Sequence, residues 1–141
     1  MNFENLKEKA QRQGVQRFVA GAVIIRQGKF LILKRKQGDF LSGLWELASG
    51  KLEENETLIE GLKREVEEET GLKVEKVLKY LSDFDYVSGS GKKTRQFNFL
   101  VEVGEGDIKL SEHEDFAWIT NDESVKYNIS DSVKKIFSDL I

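Results

Sequence analysis

The sequence contains no cysteine and no proline. The first absence excludes a disulfide framework and any thiolate metal site. The second leaves every turn to glycine, serine and asparagine. One histidine, His113, cannot build a histidine metal site, and it reads as a hydrogen-bonding or surface group. No apolar run is long enough to span a membrane or to act as a signal peptide, so a cytoplasmic protein without a membrane partner is expected. A basic excess is missing too: 22 Lys and Arg against 25 Asp and Glu leave a net charge of -3, which argues against a general electrostatic grip on nucleic acid. No internal repeat or low-complexity segment breaks the chain.

What is present suits one domain over residues 1–141, because 39% hydrophobic residues can fill a sizeable core while 33% charged residues cover it. Residues 1–15 form a short polar N-terminal segment, helical or frayed. RFVAGAVIIR and KFLILK are continuous apolar runs, the pattern of strands covered on both faces, so helices must flank them. The turn at Arg26, Gln27, Gly28 and Lys29 joins them as a hairpin, and KQGDFLSG is a loop before LWELAS. A second hairpin pairs VEKVLKYLSDFDYVS with TRQFNFLVEV across SGSGKK, with Phe97, Phe99, Val101 and Val103 on one face. Phe116, Trp118 and Ile119 mark one more short strand. SDSVKKIFSDLI closes as a helix capped by Ser130 or Asp131. The order of strands, helix, strands, helix implies a mixed sheet packed between helices, in the α+β or α/β class.

The segment REVEEETGL holds the chemistry. Upstream, Leu58, Ile59, Leu62 and Val66 have the spacing of one helix face, and Gly71 is a natural C-cap, so the glutamates fall in the last turns. That end of a helix carries partial negative charge and disfavours carboxylates by up to about 1 kcal/mol each. At about 100° per residue, Glu65, Glu68 and Glu69 share an arc of about 100°, whereas Glu67 points away, opposite Lys63. A divalent cation would reverse the local cost, and all-oxygen ligands suit magnesium or manganese. Against this stands the ordinary reading of helix glutamates as a solvated face. Asn55 and Thr57 are both suitable N-caps. Arg64 has the planar fork to brace Glu56 or Glu65.

Read from residue 50 to residue 72, GKLEENETLIEGLKREVEEETGL places Gly50, Glu56, Arg64, Glu65, Val66, Glu68, Glu69, Gly71 and Leu72 at the spacing of a known signature. It resembles the box of the Nudix hydrolase superfamily. The resemblance implies an α/β/α sandwich and a pyrophosphohydrolase of the MutT-like kind. It assigns metal binding to Glu65, Glu68 and Glu69 with the backbone carbonyl of Ser49 and leaves Glu65 also open as the base, while the planar fork of Arg64 suits it to orientation and not to chemistry. It also recruits one acid from SEHEDFAWIT: Glu112 is the better match and Glu114 the reserve. One departure stands out, since relatives often carry proline and two glycines where this chain has Ala48, Ser49 and Gly50. The implied reaction is magnesium- or manganese-dependent hydrolysis of a diphosphate by water, without a covalent intermediate.

Substrate contacts are less distinctive. Arg35, with Lys34 and Lys36, could meet phosphate at a strand end. Trp45, Phe84 and Tyr86 could stack on a base, and Arg95 and Gln96 lie beside the glycine-rich hairpin tip. The expected substrate is a nucleoside triphosphate, including an oxidised one. ADP-ribose, nucleotide sugars, dinucleoside polyphosphates and capped RNA ends are alternatives within the enzyme class. A nucleotide-sensing domain without turnover is the alternative outside it, and an intact glutamate set argues against that. A structural calcium module would need an aspartate-rich loop that this chain lacks. A homodimer is the commonest arrangement for a small enzyme.

Overall fold

One strand, β1 (Arg17–Arg26), organises the fold in the computed structural model, which describes residues 3–38 and 43–140. Preceding it is α1 (Glu4–Arg12); β2 (Lys29–Arg35), β3 (Trp45–Glu46), β4 (Ala48–Lys51) and α2 (Leu58–Thr70) follow. Next come β5 (Val74–Val87), β6 (Lys93–Val103), β7 (His113–Ile119), a short 3-10 helix over Asp122–Lys126, and α3 (Asp131–Asp139). The sheet runs β3-β2-β1-β6-β5, with β4 on β1 and β7 on β2. β1 and β6 are parallel, and the other strand pairs are antiparallel, which makes the sheet mixed.

Both predicted hairpins form. β1 and β2 meet at Ile25–Phe30 and Arg26–Lys29, and the connecting Gln27 and Gly28 have φ of 52° and 76°. Two successive left-handed residues match the right-handed twist of the flanking strands. The loop expected over residues 36–43 falls partly outside the described residues, at 39–42.

Alternation along β1 feeds two cores. Ala20, Ala22 and Ile24 pack with Leu58, Leu62 and Val66 of α2 and with Phe97, Phe99 and Val101 of β6. Val23 faces the other way, toward Ile129, Val133, Ile136 and Phe137 in and before α3. Each such Val, Leu, Ile or Phe side chain contributes roughly 1.5–3 kcal/mol by leaving water. The result is an α/β/α sandwich with the sheet in the middle layer, as the continuous apolar strands require. Among the described residues no helix is long and apolar enough to cross a membrane.

The N-terminal segment is a helix, and it is tied to α2. Phe3, Leu6 and Ala10 share the face that joins the first core. Glu4 Oε2 accepts the Leu58 N–H at 3.0 Å, and Lys7 Nζ donates to the Glu56 carbonyl at 3.1 Å. The start of α2 is closed a second time by Thr57, which accepts from the Glu60 N–H at 3.1 Å while its own N–H donates to Glu60 Oε1 at 2.9 Å. Thr57, not Asn55, is therefore the cap. At the other end Gly71 takes φ 76°, as expected of a C-cap glycine.

On one side of β1, β6 pairs along residues 17–25; on the other, β4 takes Val19–Ala22 and β2 only the hairpin end. The sheet forks there. A cleft of about 770 Å³ lies at the fork, lined from β1, β3, β4, β5, β6, the last turn of α2 and the first residues of α3.

Candidate active site

Arg64 gathers the start of the site. Its Nε and Nη2 reach the two oxygens of Glu56 at 2.7 and 2.9 Å, its Nη1 donates to Glu65 at 2.7 Å and to Glu68 at 3.2 Å, and Nη2 also donates to the Lys51 carbonyl at 3.0 Å. A planar fork with five donors is suited to this, and lysine could not reproduce it. The hydrogen bonds from Arg64 hold the Glu56 carboxyl below its usual range, and Glu56 above all raises the guanidinium's pKa. Both alternatives open for Arg64 are realised, since it braces Glu56 and Glu65 together.

Among the described residues Glu69 is the most deeply placed acid, 5% exposed, and its Oε1 accepts the Ser49 N–H at 2.8 Å. Burial pushes its carboxyl up to about 8, with the charges of Glu65, Glu46 and Glu112 adding to the rise and the Ser49 hydrogen bond opposing it. Burial also raises Glu65; Arg64 opposes that shift, while Glu68 and Glu112 add to it. The Ser49 N–H points away from β1, and in extended backbone the carbonyl of the same residue shares that edge. The expected carbonyl contributor thus borders Glu69.

Glu68 and Glu67 are both exposed, but only Glu68 is drawn to Arg64. Of the two downstream candidates, Glu112 lines the cleft and is felt electrostatically by Glu65 and Glu69. Glu114 is turned to the end of β2, where it accepts the Gln37 N–H at 2.7 Å and lies 3.7 Å from Lys34 Nζ.

His113 is buried, so the surface reading fails and the hydrogen-bonding one holds. Its Nε2 lies 2.8 Å from Glu46 Oε2 and its Nδ1 4.0 Å from Glu69 Oε2. Glu46 in turn accepts from Arg35 Nη1 at 2.9 Å. A line of polar side chains runs from Arg35 through Glu46 and His113 toward Glu69. Sequence reasoning missed Glu46; the partners are 67 positions apart, and only the pairing of β2 with β3 and β7 brings them together.

Arg35, Trp45, Phe84, Tyr86 and Gln96 all line the cleft. Trp45 packs edge-on against Tyr127 with ring centroids 5.0 Å apart, and the Tyr86 hydroxyl accepts from Arg17 at 3.3 Å. Arg95 does not belong with them. It shares the opposite face of β6 with Phe97 and Phe99, and its guanidinium is held by Asp85 at 2.6 and 2.9 Å and by Gln13 at 2.7 Å. One step along a strand reverses the face, so the adjacent Gln96 takes the place expected for Arg95. Lys34 and Lys36 are likewise outside the cleft lining, Lys36 donating to the Ser111 carbonyl at 3.3 Å.

The residues present fit a hard divalent cation. The charges of Glu65 and Glu112 add to the proton affinity of Glu69, that of Glu112 adds to the proton affinity of Glu65, and the last turn of α2 supplies no basic side chain to offset them. A Cβ at Gly50 would stand 2.0 Å from the Glu65 carboxyl carbon, so β4 leaves its backbone bare where that carboxyl rests. The donors are all oxygens, as magnesium and manganese prefer. Among the described residues, no three histidine or acidic side chains are already gathered closely enough to hold an ion, because Arg64 holds Glu65 and Glu68 while Ser49 holds Glu69.

Residues 15–140 match the model of the NUDIX domain. This chain belongs to the Nudix family. It is 33% identical over 118 residues to an 8-oxo-dGTP diphosphatase of Buchnera aphidicola, covering 84% of this chain and 88% of that one. It is 30% identical over 112 residues to the CTP pyrophosphohydrolase of Escherichia coli, covering 79% and 82%. A MutT Nudix hydrolase from Burkholderia pseudomallei superposes with a TM-score of 0.76 at 26% identity over 89% of this chain and 98% of that structure. The chain described here is accordingly a Nudix pyrophosphohydrolase.

Proposed function

We propose that this chain is a magnesium-dependent hydrolase of nucleoside triphosphates, oxidised ones included, that opens a phosphoanhydride by attack of water at phosphorus. The observation that carries the reading is the composition of one cleft, where Glu112 and the buried Glu69 meet the aromatic side chains of Trp45, Phe84 and Tyr86, with half-buried Glu65 resting against Gly50 of the cleft wall. Relatives named for 8-oxo-dGTP and for CTP support a triphosphate substrate and leave the base open.

Glu65, Glu68, Glu69, Glu112 and the Ser49 carbonyl would hold the cation, which when bound neutralises the diphosphate and offsets the charge developing on it. Arg64 fixes the rotamer of Glu65. The raised proton affinity of Glu65 suits it to take a proton from the attacking water. Ser49 anchors Glu69, while the aromatic wall takes the apolar face of a base.

Turnover of a nucleotide panel, with and without magnesium and with products weighed by mass spectrometry, tests this. Hydrolysis of one or more triphosphates only with magnesium or manganese is expected. Full turnover in excess chelator would end the metal-dependent mechanism, and binding of nucleotides without any product would favour the sensing alternative.

A further inference from the structure

β6 carries two amides, Gln96 and Asn98, on the cleft side of the sheet, while the neighbouring Phe97 and Phe99 on its other face join the core. Gln96, 8% exposed, lines the cleft, and its Nε2 donates to Oδ1 of the fully buried Asn98 at 2.9 Å. β1 makes room for them, since a Cβ at Gly21 would lie 2.5 Å from Asn98 Oδ1 and 2.6 Å from Gln96 Nε2. The strand partner of Gln96 on β5 is Phe84, which also lines the cleft.

An amide pair kept only to fix strand register should satisfy itself, because an unpaired buried polar group costs about 1–3 kcal/mol. This pair does not. Asn98 Nδ2 is buried with no partner, and Gln96 Oε1 receives no hydrogen bond from the described residues. Holding Nε2 inward on Asn98 turns the other end of the Gln96 amide, its oxygen, into the acceptor available to the cleft.

We infer that Gln96 reads the base of the substrate, accepting a hydrogen bond from an N–H or amino group on the base edge, while Phe84 covers the ring. Asn98 is a positioning residue that selects which end of the Gln96 amide faces the ligand. The inference rests on the nucleotide-hydrolase reading, and narrows it to bases that present a donor to Gln96.

The test compares two substrates with magnesium present: the nucleoside triphosphate that wild type hydrolyses best, and ribose 5-triphosphate, which has the same phosphates and no base. Gln96→Met should lower kcat/KM for the nucleotide by about tenfold or more, chiefly through KM, and leave ribose 5-triphosphate unchanged. Gln96→Glu keeps an acceptor oxygen and should retain more of the nucleotide preference than Gln96→Met. Asn98→Leu should reproduce the selective loss in KM. Equal losses on both substrates, or no loss on either, would overturn the inference while leaving the hydrolase intact. Wild type that hydrolyses neither substrate would overturn the nucleotide reading, and the inference with it.

Discussion

The Glu65 carboxyl lies against the bare backbone of Gly50, where an added Cβ would come within 2.0 Å of its carbon. Gly50 has no positive φ, so its lack of a side chain serves this approach and not a turn. Gly50→Ala should therefore displace Glu65 and cut turnover by about a hundredfold, since misplacement by about an ångström is enough. Gly89→Ala on the cleft rim meets nothing within 4 Å and should be silent. Steady-state rates with a circular dichroism check separate the two; an active Gly50→Ala would remove the close approach from the mechanism.

Neighbouring glutamates on α2 should behave differently. Glu67 is exposed and makes no contact with Arg64, so Glu67→Gln should change stability by within about 0.5 kcal/mol and leave turnover intact. Glu68→Gln should slow turnover at least about a hundredfold, or roughly 2.7 kcal/mol of barrier. Without metal this variant should melt slightly higher than wild type, having lost a charge that opposes the helix dipole, and magnesium should shrink or invert that gain. Equal rates, with melting temperatures indifferent to magnesium, would mark both acids as solvated surface.

Glu112 and Glu114 give a third contrast. Glu112→Gln should lower magnesium affinity by about tenfold or more, as removal of an acid from a cation site does, whereas Glu114→Gln should lose only its contacts with Gln37 and Lys34. Calorimetric titration with magnesium reads this directly, and the reverse ranking would transfer the role to Glu114.

Stability without metal should fall as pH rises. The Glu69 carboxyl, raised by burial to about 8 from 4.5, binds its proton more tightly folded than unfolded, so its contribution is complete below about 4.5 and is lost through about 8. Glu65 shifts in the same direction. Glu56, lowered by Arg64, works oppositely but only at acid pH. Between about pH 6 and about pH 9 the metal-free melting temperature should drop, and saturating magnesium should flatten the drop because the cation replaces the proton. A Glu69→Gln variant should lose most of the slope; an unchanged slope would place its origin elsewhere.

Local chemistry was legible in the sequence. The α2 face, the Gly71 cap and both hairpins depend on residues a few positions apart, and each formed as the spacing requires. The cap of α2 is open between Asn55 and Thr57 in the sequence, and the reciprocal bonds of Thr57 with Glu60 decide it. Arg95 against Gln96 was not legible either, because the choice depends on which face of β6 meets the cleft, and that is settled by where α1 and α3 pack. Glu46 with His113 and Glu4 with Leu58 join distant parts of the chain, so no local pattern announces them.

The forked pairing of β1 separates two kinds of residue. The carboxylates and their braces sit on α2, β4 and the start of β7, while the ring and amide contacts sit on β3, β5 and β6. Among the described residues the hydrogen bond between His113 of β7 and Glu46 of β3 ties the groups, and the sheet itself carries the rest. Substitutions along the second group can therefore drift under selection for a new ligand while the hydrolytic apparatus is inherited unchanged. Such a division makes the scaffold permissive to diversification: a duplicated copy could acquire another substrate through a handful of exchanges on β5 and β6, with no intermediate that had lost its chemistry.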